Sequence, residues 1–174
     1  MPSICIPLAF GLSMRPVQPS DKALTRRIYH DSRWDLRLAE APRDYIHTVT
    51  EQQADLRDDL AGAGFPERRD FIIEQEGAAI GHLMLAHNDD EIWIVSLRFI
   101  AIVDGPAVFR GMLPALQSGA IGSRKTLHMV VEDLLPAWGA VLADAGFVVE
   151  ARDGLCTRYG FVPPRSNKSY FFRT

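Results

Sequence analysis

The sequence predicts a single α/β (α+β) domain, in which a mixed, mostly antiparallel sheet has helices on both faces. The chain has 174 residues, 47% of them hydrophobic and 24% charged, which is typical of a globular domain with a full core. Apolar spacing indicates the order strand, two helices, three antiparallel strands, helix, strand, helix, two strands. The helix between Val103 and Thr126 predicts a right-handed crossover between parallel strands.

The N-terminal third predicts one strand and two helices. Residues 1–13 are interpreted as an N-terminal extension that could add a strand, and residues 14–174 as the domain. Residues 16–19 predict a short edge strand, and Ser20 is expected to cap a helix that runs to about Arg33. A second helix should begin near Pro42 and end at the glycines 62 and 64. Its expected apolar stripe, with one polar interruption, is Ile46, Val49, Gln53, Leu56 and Leu60.

The remainder alternates between strands and helices. Alternating apolar residues and turn residues predict a hairpin over 71–85 that turns at Glu76 and Gly77, followed by a third strand. Gly111 and Pro114 indicate a kinked helix over 108–117. The other elements expected are the third strand at 92–103, strands at 126–132, 148–150 and 155–161, and a helix at 136–145. The tail 165–174 is interpreted as cover for its own sheet edge, or else as a docking strand.

Composition excludes several classes of function. A formal charge of −3 gives no support for binding nucleic acid or an anionic membrane, and no apolar run has the roughly 18 residues of a membrane span. The two cysteines are far apart in sequence, which favours free thiols and a cytoplasmic location. No HExxH or His-x-His motif occurs, so no metal is expected.

A turn at residues 104–109 has the general form of an anion site. A long apolar strand leads into Asp-Gly-Pro-Ala-Val-Phe, which opens a helix. The free N–H groups and the dipole at a helix N-terminus attract phosphate groups. Gly105 and Ala107 are small enough to let the backbone approach a ligand, but Pro106 removes one N–H donor.

The order of elements, with this turn, resembles the GNAT superfamily of acyl-CoA-dependent N-acyltransferases. Three local sequences agree: Met-Arg-Pro with Ser-Asp within 14–21, Ile-Gly-His-Leu at 80–83, and Ala-Gly-Phe at 145–147. The resemblance covers residues 14–161. It implies acetyl-CoA or another acyl-CoA as cofactor and an amine of a small molecule or peptide as acceptor, and it makes a homodimer plausible.

The same resemblance implies which residues hold the cofactor. The backbone of Leu97, Arg98 and Phe99 would pair with the pantetheine arm. The N–H groups of Gly105, Ala107 and Val108 would contact the pyrophosphate.

Three departures from the family pattern indicate a degenerate active site. Asp104 stands where an arginine or glutamine is expected, and Phe109 replaces the last glycine of the motif. Leu142 occupies the position at which many of these enzymes have a tyrosine that protonates the leaving thiolate. Two functions therefore remain open. One is a diverged N-acyltransferase, and the other is an inactive binding module whose cleft is closed by Phe99 or Phe109.

A transferase would also need a base for the amine proton. His128 is the preferred candidate, because an unperturbed imidazole titrates near neutral pH. Glu91 at the start of the third strand is the second candidate, and Glu132 lies on the same strand face as His128. The alternative for His128 is a half-buried strand histidine with satisfied hydrogen bonds.

Overall fold

The computed structural model describes residues 6–9, 11–33, 36, 40–64 and 67–164, with the backbone alone for 57–64. The helices whose bounds lie within the described residues are α1 (Lys22–Ser32), α2 (Arg43–Gly64), α3 (Gly105–Ser123) and α4 (Pro136–Asp144). The eight strands are β1 (Ile6–Pro7), β2 (Leu12–Pro16), β3 (Arg69–Gln75), β4 (Ala78–His87), β5 (Glu91–Phe99), β6 (Thr126–Glu132), β7 (Val148–Asp153) and β8 (Cys156–Phe161).

All eight strands form one sheet in the order β1-β2-β3-β4-β5-β6-β8-β7. Every neighbouring pair is antiparallel except β5 and β6, which are parallel and joined through α3. The predicted mixed, mostly antiparallel sheet and its parallel crossover are therefore confirmed. β1 and the start of β2 pair with the sheet, so the described residues before Met14 include sheet strands.

The main core lies between the sheet and the helices α3 and α4. It contains the buried Phe109, Met112 and Leu113 of α3, and Leu127 and Met129 of β6. α1 covers the opposite face of β5. Successive residues of a strand point to opposite faces, and Arg98, which is next to the core residue Phe99, contacts α1. The Arg98 guanidinium lies 4.8 Å from the centre of the Tyr29 ring. Among the described residues, no helix is long and apolar enough to cross a membrane.

The first predicted strand and helix cap are wrong in position. The strand spans Leu12–Pro16 and not residues 16–19, and it lies between β1 and β3. Ser20 belongs to a short 3₁₀ turn, and the helix begins at Lys22. The physical reason is Asp21, whose carboxylate accepts from Arg15 Nη1 (2.6 Å), from Arg15 Nη2 (3.0 Å) and from the Gln18 N–H (2.8 Å).

The boundary between β5 and α3 also differs from the prediction. β5 ends at Phe99, because a turn in which Val103 N–H donates to Ile100 O replaces the last four predicted strand residues. α3 then runs from Gly105 to Ser123, well beyond the predicted 108–117. Pro114 lies on its exposed side and does not end it. Buried side chains on both sides of Pro114, among them Phe109 and Ala120, hold the two halves against the sheet.

The predicted apolar stripe of α2 is only partly correct. Ile46, Val49 and Gln53 are half-buried, but Leu56 is 59% exposed. Thr50 and Ala54 are the buried residues of this helix face. The side chain of Leu60 and the tail 165–174 lie outside the described residues.

Candidate functional site

The sheet opens between β5 and β6. The two strands pair from Glu91 opposite Thr126 to Ile94 opposite Met129, and no pairing continues beyond that point. β5 has a β-bulge at Val95, which lies opposite the step from Met84 to Leu85 on β4. The pairing of β5 with β6 ends at the same place. The strands then diverge around a cleft of about 430 Å³. That volume is within the usual range for a ligand site.

The walls of the cleft come from β5, β6 and the N-termini of α3 and α4. They include residues 94–101 and 129–132, together with Ser32, Gly105 and Trp138. Phe109 does not close the cleft, because its side chain is fully buried in the core and packs against Trp138 at 5.4 Å between ring centroids. Phe99 stacks on the same indole at 6.2 Å and forms part of the wall. An open slot of this kind is what the transferase hypothesis requires.

Three residues at the end of β5 border the cleft. Leu97, Arg98 and Phe99 pair with β4 on one side. On the β6 side, the described strands make no pairs after Ile94, so main-chain groups of these three residues border the cleft. The side chain of Arg98 points to α1, where its Nη1 donates to Ser32 Oγ (3.4 Å). The structure thus brings the three predicted pantetheine residues to the cleft as a strand edge.

The N-terminus of α3 is capped by the protein itself. Ala107 N–H donates to the Asp104 carboxylate (3.1 Å), and Val108 N–H donates to the Asp104 carbonyl oxygen (3.0 Å). Two of the three N–H groups predicted to hold a pyrophosphate therefore have partners within the turn. The third residue, Gly105, also has a packing role, because a Cβ there would lie 3.0 Å from the Phe99 ring and 3.1 Å from the Trp138 ring.

His128 and Glu91 lie in a polar cluster that includes Trp93, Glu150 and Arg158. The His128 ring stacks on Trp93 at 4.6 Å, and His128 Nδ1 lies 2.9 Å from Glu150 Oε2. Arg158 Nε is 3.2 Å from the same Glu150 oxygen. Glu91 Oε1 is 3.6 Å from His128 Nε2, which is too far for a good hydrogen bond. The two predicted catalytic residues are therefore neighbours, and His128 is buried.

Local backbone features explain why Glu150 reaches His128. Glu150 is the extra residue of a β-bulge in β7, between Val149 opposite Tyr159 and Ala151 opposite Arg158. Its carboxylate passes over Gly160, where a Cβ would lie only 2.1 Å from Glu150 Oε1. A side chain at position 160 would therefore displace this carboxylate from the histidine.

Hydrogen bonds make Glu91 a weaker base. Its Oε2 accepts from Trp93 Nε1 (3.0 Å) and from Asn88 Nδ2 (3.2 Å). The Trp93 bond first, and then the Asn88 bond, lower the pKa of Glu91 below its ordinary value. A carboxylate with a lowered pKa accepts a proton from an ammonium group less readily.

Neither His128 nor Glu91 lines the cleft, whereas Glu132 does. Glu132 is four residues beyond His128 on β6, about 13 Å further along the strand. It is the only carboxylate among the residues that form the cleft walls in the described part of the chain. Sequence alternation places Glu132 on the same face of β6 as His128, but it does not show which of the two lies beside the cleft, because alternation does not indicate where the strands separate.

The position expected to hold a tyrosine offers no proton donor. Leu142 is fully buried and packs in the core. Asp144, two residues later, is exposed and pairs with Arg110 at 3.0 Å. A thiolate leaving in this cleft would therefore not find an acid at the usual place on α4.

No protein-family model and no curated protein matches the sequence. Solved structures do match the fold. A ribosomal L7/L12 α-N-protein acetyltransferase (RimL) in complex with coenzyme A has a TM-score of 0.64 and 17% identity, covering 92% of this chain and 98% of that one. An acetyltransferase from Thermus thermophilus has a TM-score of 0.62 and 22% identity, with coverage of 90% and 99%.

A third structure is the PaiA N-acetyltransferase from Thermoplasma acidophilum in complex with coenzyme A, with a TM-score of 0.61 and 13% identity. It covers 87% of this chain and 98% of its own. The similarity extends over nearly the full length of each protein, and the sheet order with its parallel β5–β6 pair agrees with it. The chain has the fold of the GNAT N-acetyltransferases.

Proposed function

We propose that this protein is a diverged acyl-CoA-dependent N-acyltransferase. The observation that carries the proposal is the open cleft at the point where β5 and β6 separate, beyond the last β5–β6 pair of Ile94 with Met129. A cleft of about 430 Å³ has room for a thioester and an amine together. Aminolysis of a thioester needs little from a protein beyond holding the two reactants in contact and removing one proton.

In this proposal the cofactor is acetyl-CoA or another acyl-CoA, bound mainly through its pantetheine arm. The amides of the arm would add to the edge of β5 at Leu97, Arg98 and Phe99, as an extended chain adds to an open sheet. The pyrophosphate would lie near Gly105, Ala107 and Val108, where the Asp104 carboxylate competes for the same donor. We therefore expect weak binding that depends on the arm more than on the phosphates.

The proposed reaction is attack by an amine nitrogen on the thioester carbonyl, with loss of coenzyme A as the thiolate. Glu132, which lines the cleft, is the carboxylate that we propose takes the amine proton, directly or through a water molecule. Water would then protonate the thiolate, because Leu142 cannot. His128 and Glu91 remain an alternative hypothesis for the base, and they are tested beside Glu132 below.

For the acceptor we propose an amine of a peptide or small molecule. One structural neighbour is described as an α-N-protein acetyltransferase of ribosomal L7/L12, which makes a peptide α-amino group the first acceptor to test. For the location we propose the cytoplasm, since Cys156 is a free thiol.

A second candidate is a binding module that keeps the fold without the chemistry. The capping of Ala107 N–H by Asp104 favours it, and so does the buried Leu142. In this case the cleft would hold a partner or another ligand, and no acyl transfer would occur.

Calorimetric titration with acetyl-CoA and with coenzyme A separates the two functions. Saturable binding to the wild type supports the transferase, whereas no heat and no thermal shift at millimolar cofactor would favour the module. Release of coenzyme A thiol in the presence of acceptor peptides then measures turnover.

The base is identified with matched amide variants. Glu132→Gln should lower kcat by about 100-fold or more while leaving cofactor affinity unchanged, as expected for the loss of a general base. His128→Gln and Glu91→Gln should leave kcat within a fewfold of the wild type. Full activity of Glu132→Gln with a large loss in His128→Gln would restore the assignment to the histidine.

A further inference from the structure

Three metal-binding side chains meet between α1 and α2. His30 comes from the last turn of α1, and His47 and Glu51 come from α2. One nitrogen of each histidine and one oxygen of Glu51 all lie within 4.8 Å of one another. The two imidazole rings are 5.1 Å apart between centroids, tilted by 31°.

Both α1 and α2 contribute side chains to this cluster. His47 and Glu51 are four residues apart and therefore lie on one face of α2, one turn apart. His30 Nε2 contacts Glu51 Oε1 directly. The second oxygen of Glu51 forms an ion pair with Arg26 Nη1 (2.9 Å), and Arg26 Nη2 is held by Asp55 (2.6 Å). Glu51 is thus fixed by its outer oxygen while its inner oxygen faces the histidines.

We propose that His30, His47 and Glu51 form a Zn²⁺-binding site. Two imidazole nitrogens and one carboxylate oxygen are an established three-ligand set for zinc, with water in the fourth position. The ion pair of Arg26 with the outer oxygen is the kind of supporting contact that orients a ligating carboxylate.

The geometry requires a small adjustment. Tetrahedral ligands at about 2.0–2.1 Å from zinc lie about 3.3 Å from one another. His47 is exposed on α2, so its ring is free of core packing and can turn to bring its nitrogen to this distance. The ion replaces the direct contact between His30 and Glu51.

The site would fasten α2 to α1. Ser32, which follows His30 by two residues, lines the cleft between β5 and β6. A bound ion would therefore stabilise the helix that contributes Ser32 to the lining of the cleft. This inference does not depend on the proposed transferase activity.

The test is calorimetric titration of tag-free, EDTA-treated protein with ZnCl₂. We expect one ion per chain. His47→Gln and Glu51→Gln should each weaken binding by about 100-fold or more, because they remove a direct ligand. His87→Gln, which alters a histidine at the end of β4 that is not part of the cluster, is the matched control and should bind as the wild type does.

Thermal unfolding gives a second readout. Zinc at about one hundred times its Kd should raise the wild-type midpoint by roughly 5–10 °C, and EDTA should reverse the rise. Without zinc, the two ligand variants should melt near the metal-free wild type. Added zinc should not raise their midpoints in this way. Absence of one-to-one binding to the wild type would overturn the proposal, and so would unchanged affinity in His47→Gln and Glu51→Gln.

Discussion

Replacing Asp104 with asparagine should strengthen coenzyme A binding. The Asp104 carboxylate accepts the Ala107 N–H at 3.1 Å, at the helix end where a pyrophosphate would lie. At about 6 Å, two unit charges repel each other by between about 0.7 and 2.8 kcal/mol for effective dielectric constants of 80 and 20. Since an asparagine side chain also caps helices well, Asp104→Asn removes the charge and keeps the cap. The expected gain in affinity is therefore roughly 3- to 100-fold.

Asp104→Ala separates charge from capping. It removes the repulsion and also releases Ala107 N–H for the phosphate, so coenzyme A should bind at least as tightly as to the asparagine variant. Loss of the cap should cost about 1 kcal/mol of unfolding free energy, or about 2–4 °C in the melting temperature of a chain of this size. Asp104→Asn should melt close to the wild type.

The assay is calorimetry of the three proteins with coenzyme A and with pantetheine. Pantetheine has no phosphate, so its affinity should be the same for all three. The gain for coenzyme A should also shrink at high salt, because added ions screen the carboxylate. Equal coenzyme A affinity in the wild type and Asp104→Asn would refute the placement of the pyrophosphate at α3. An equal gain for pantetheine would show that the effect is not electrostatic.

Two further predictions concern stability. Phe109→Ala should lower the unfolding free energy in urea by about 3–5 kcal/mol, because the ring is fully buried against Trp138; a loss below about 1 kcal/mol would contradict that packing. Hydrogen bonds from Arg15 hold the pKa of Asp21 below its ordinary value of 3.8. The stability that this carboxylate adds to the folded state is therefore present above pH 3.8 and is lost as the pH falls through the lowered pKa. Urea unfolding between about pH 5 and pH 2 should show this loss, and Arg15→Met should reduce it; identical slopes for the two proteins would be inconsistent with the pairing.

Most of the fold could be predicted from the spacing of apolar residues and from turn residues. The predicted end of β5 is wrong, because Ile100 and Val103 continue its apolar run although they lie in a turn. Ile100 and Val103 both pack against the core, so their hydrophobic character reflects burial and does not indicate a strand. The end of α3 was missed for a related reason. Gly119 and Gly122 are poor helix residues that follow the predicted end, but the buried Ala120 between them holds this part of the helix against the core.

The candidate site was harder to predict. Alternation along a strand indicates on which face of the sheet a side chain lies, but not where along the strand the cleft begins. His128 and Glu132 share a face of β6, yet His128 lies where β6 is paired with β5, and Glu132 lies beyond the last pair at Met129. The separation of the strands begins at the bulge at Val95. Within an apolar run, that residue has no glycine or proline to mark it. The bulge at Val95 coincides with the point at which β5 and β6 stop pairing, and this point, rather than the identity of the acid, decides which acidic residue of β6 lines the cleft.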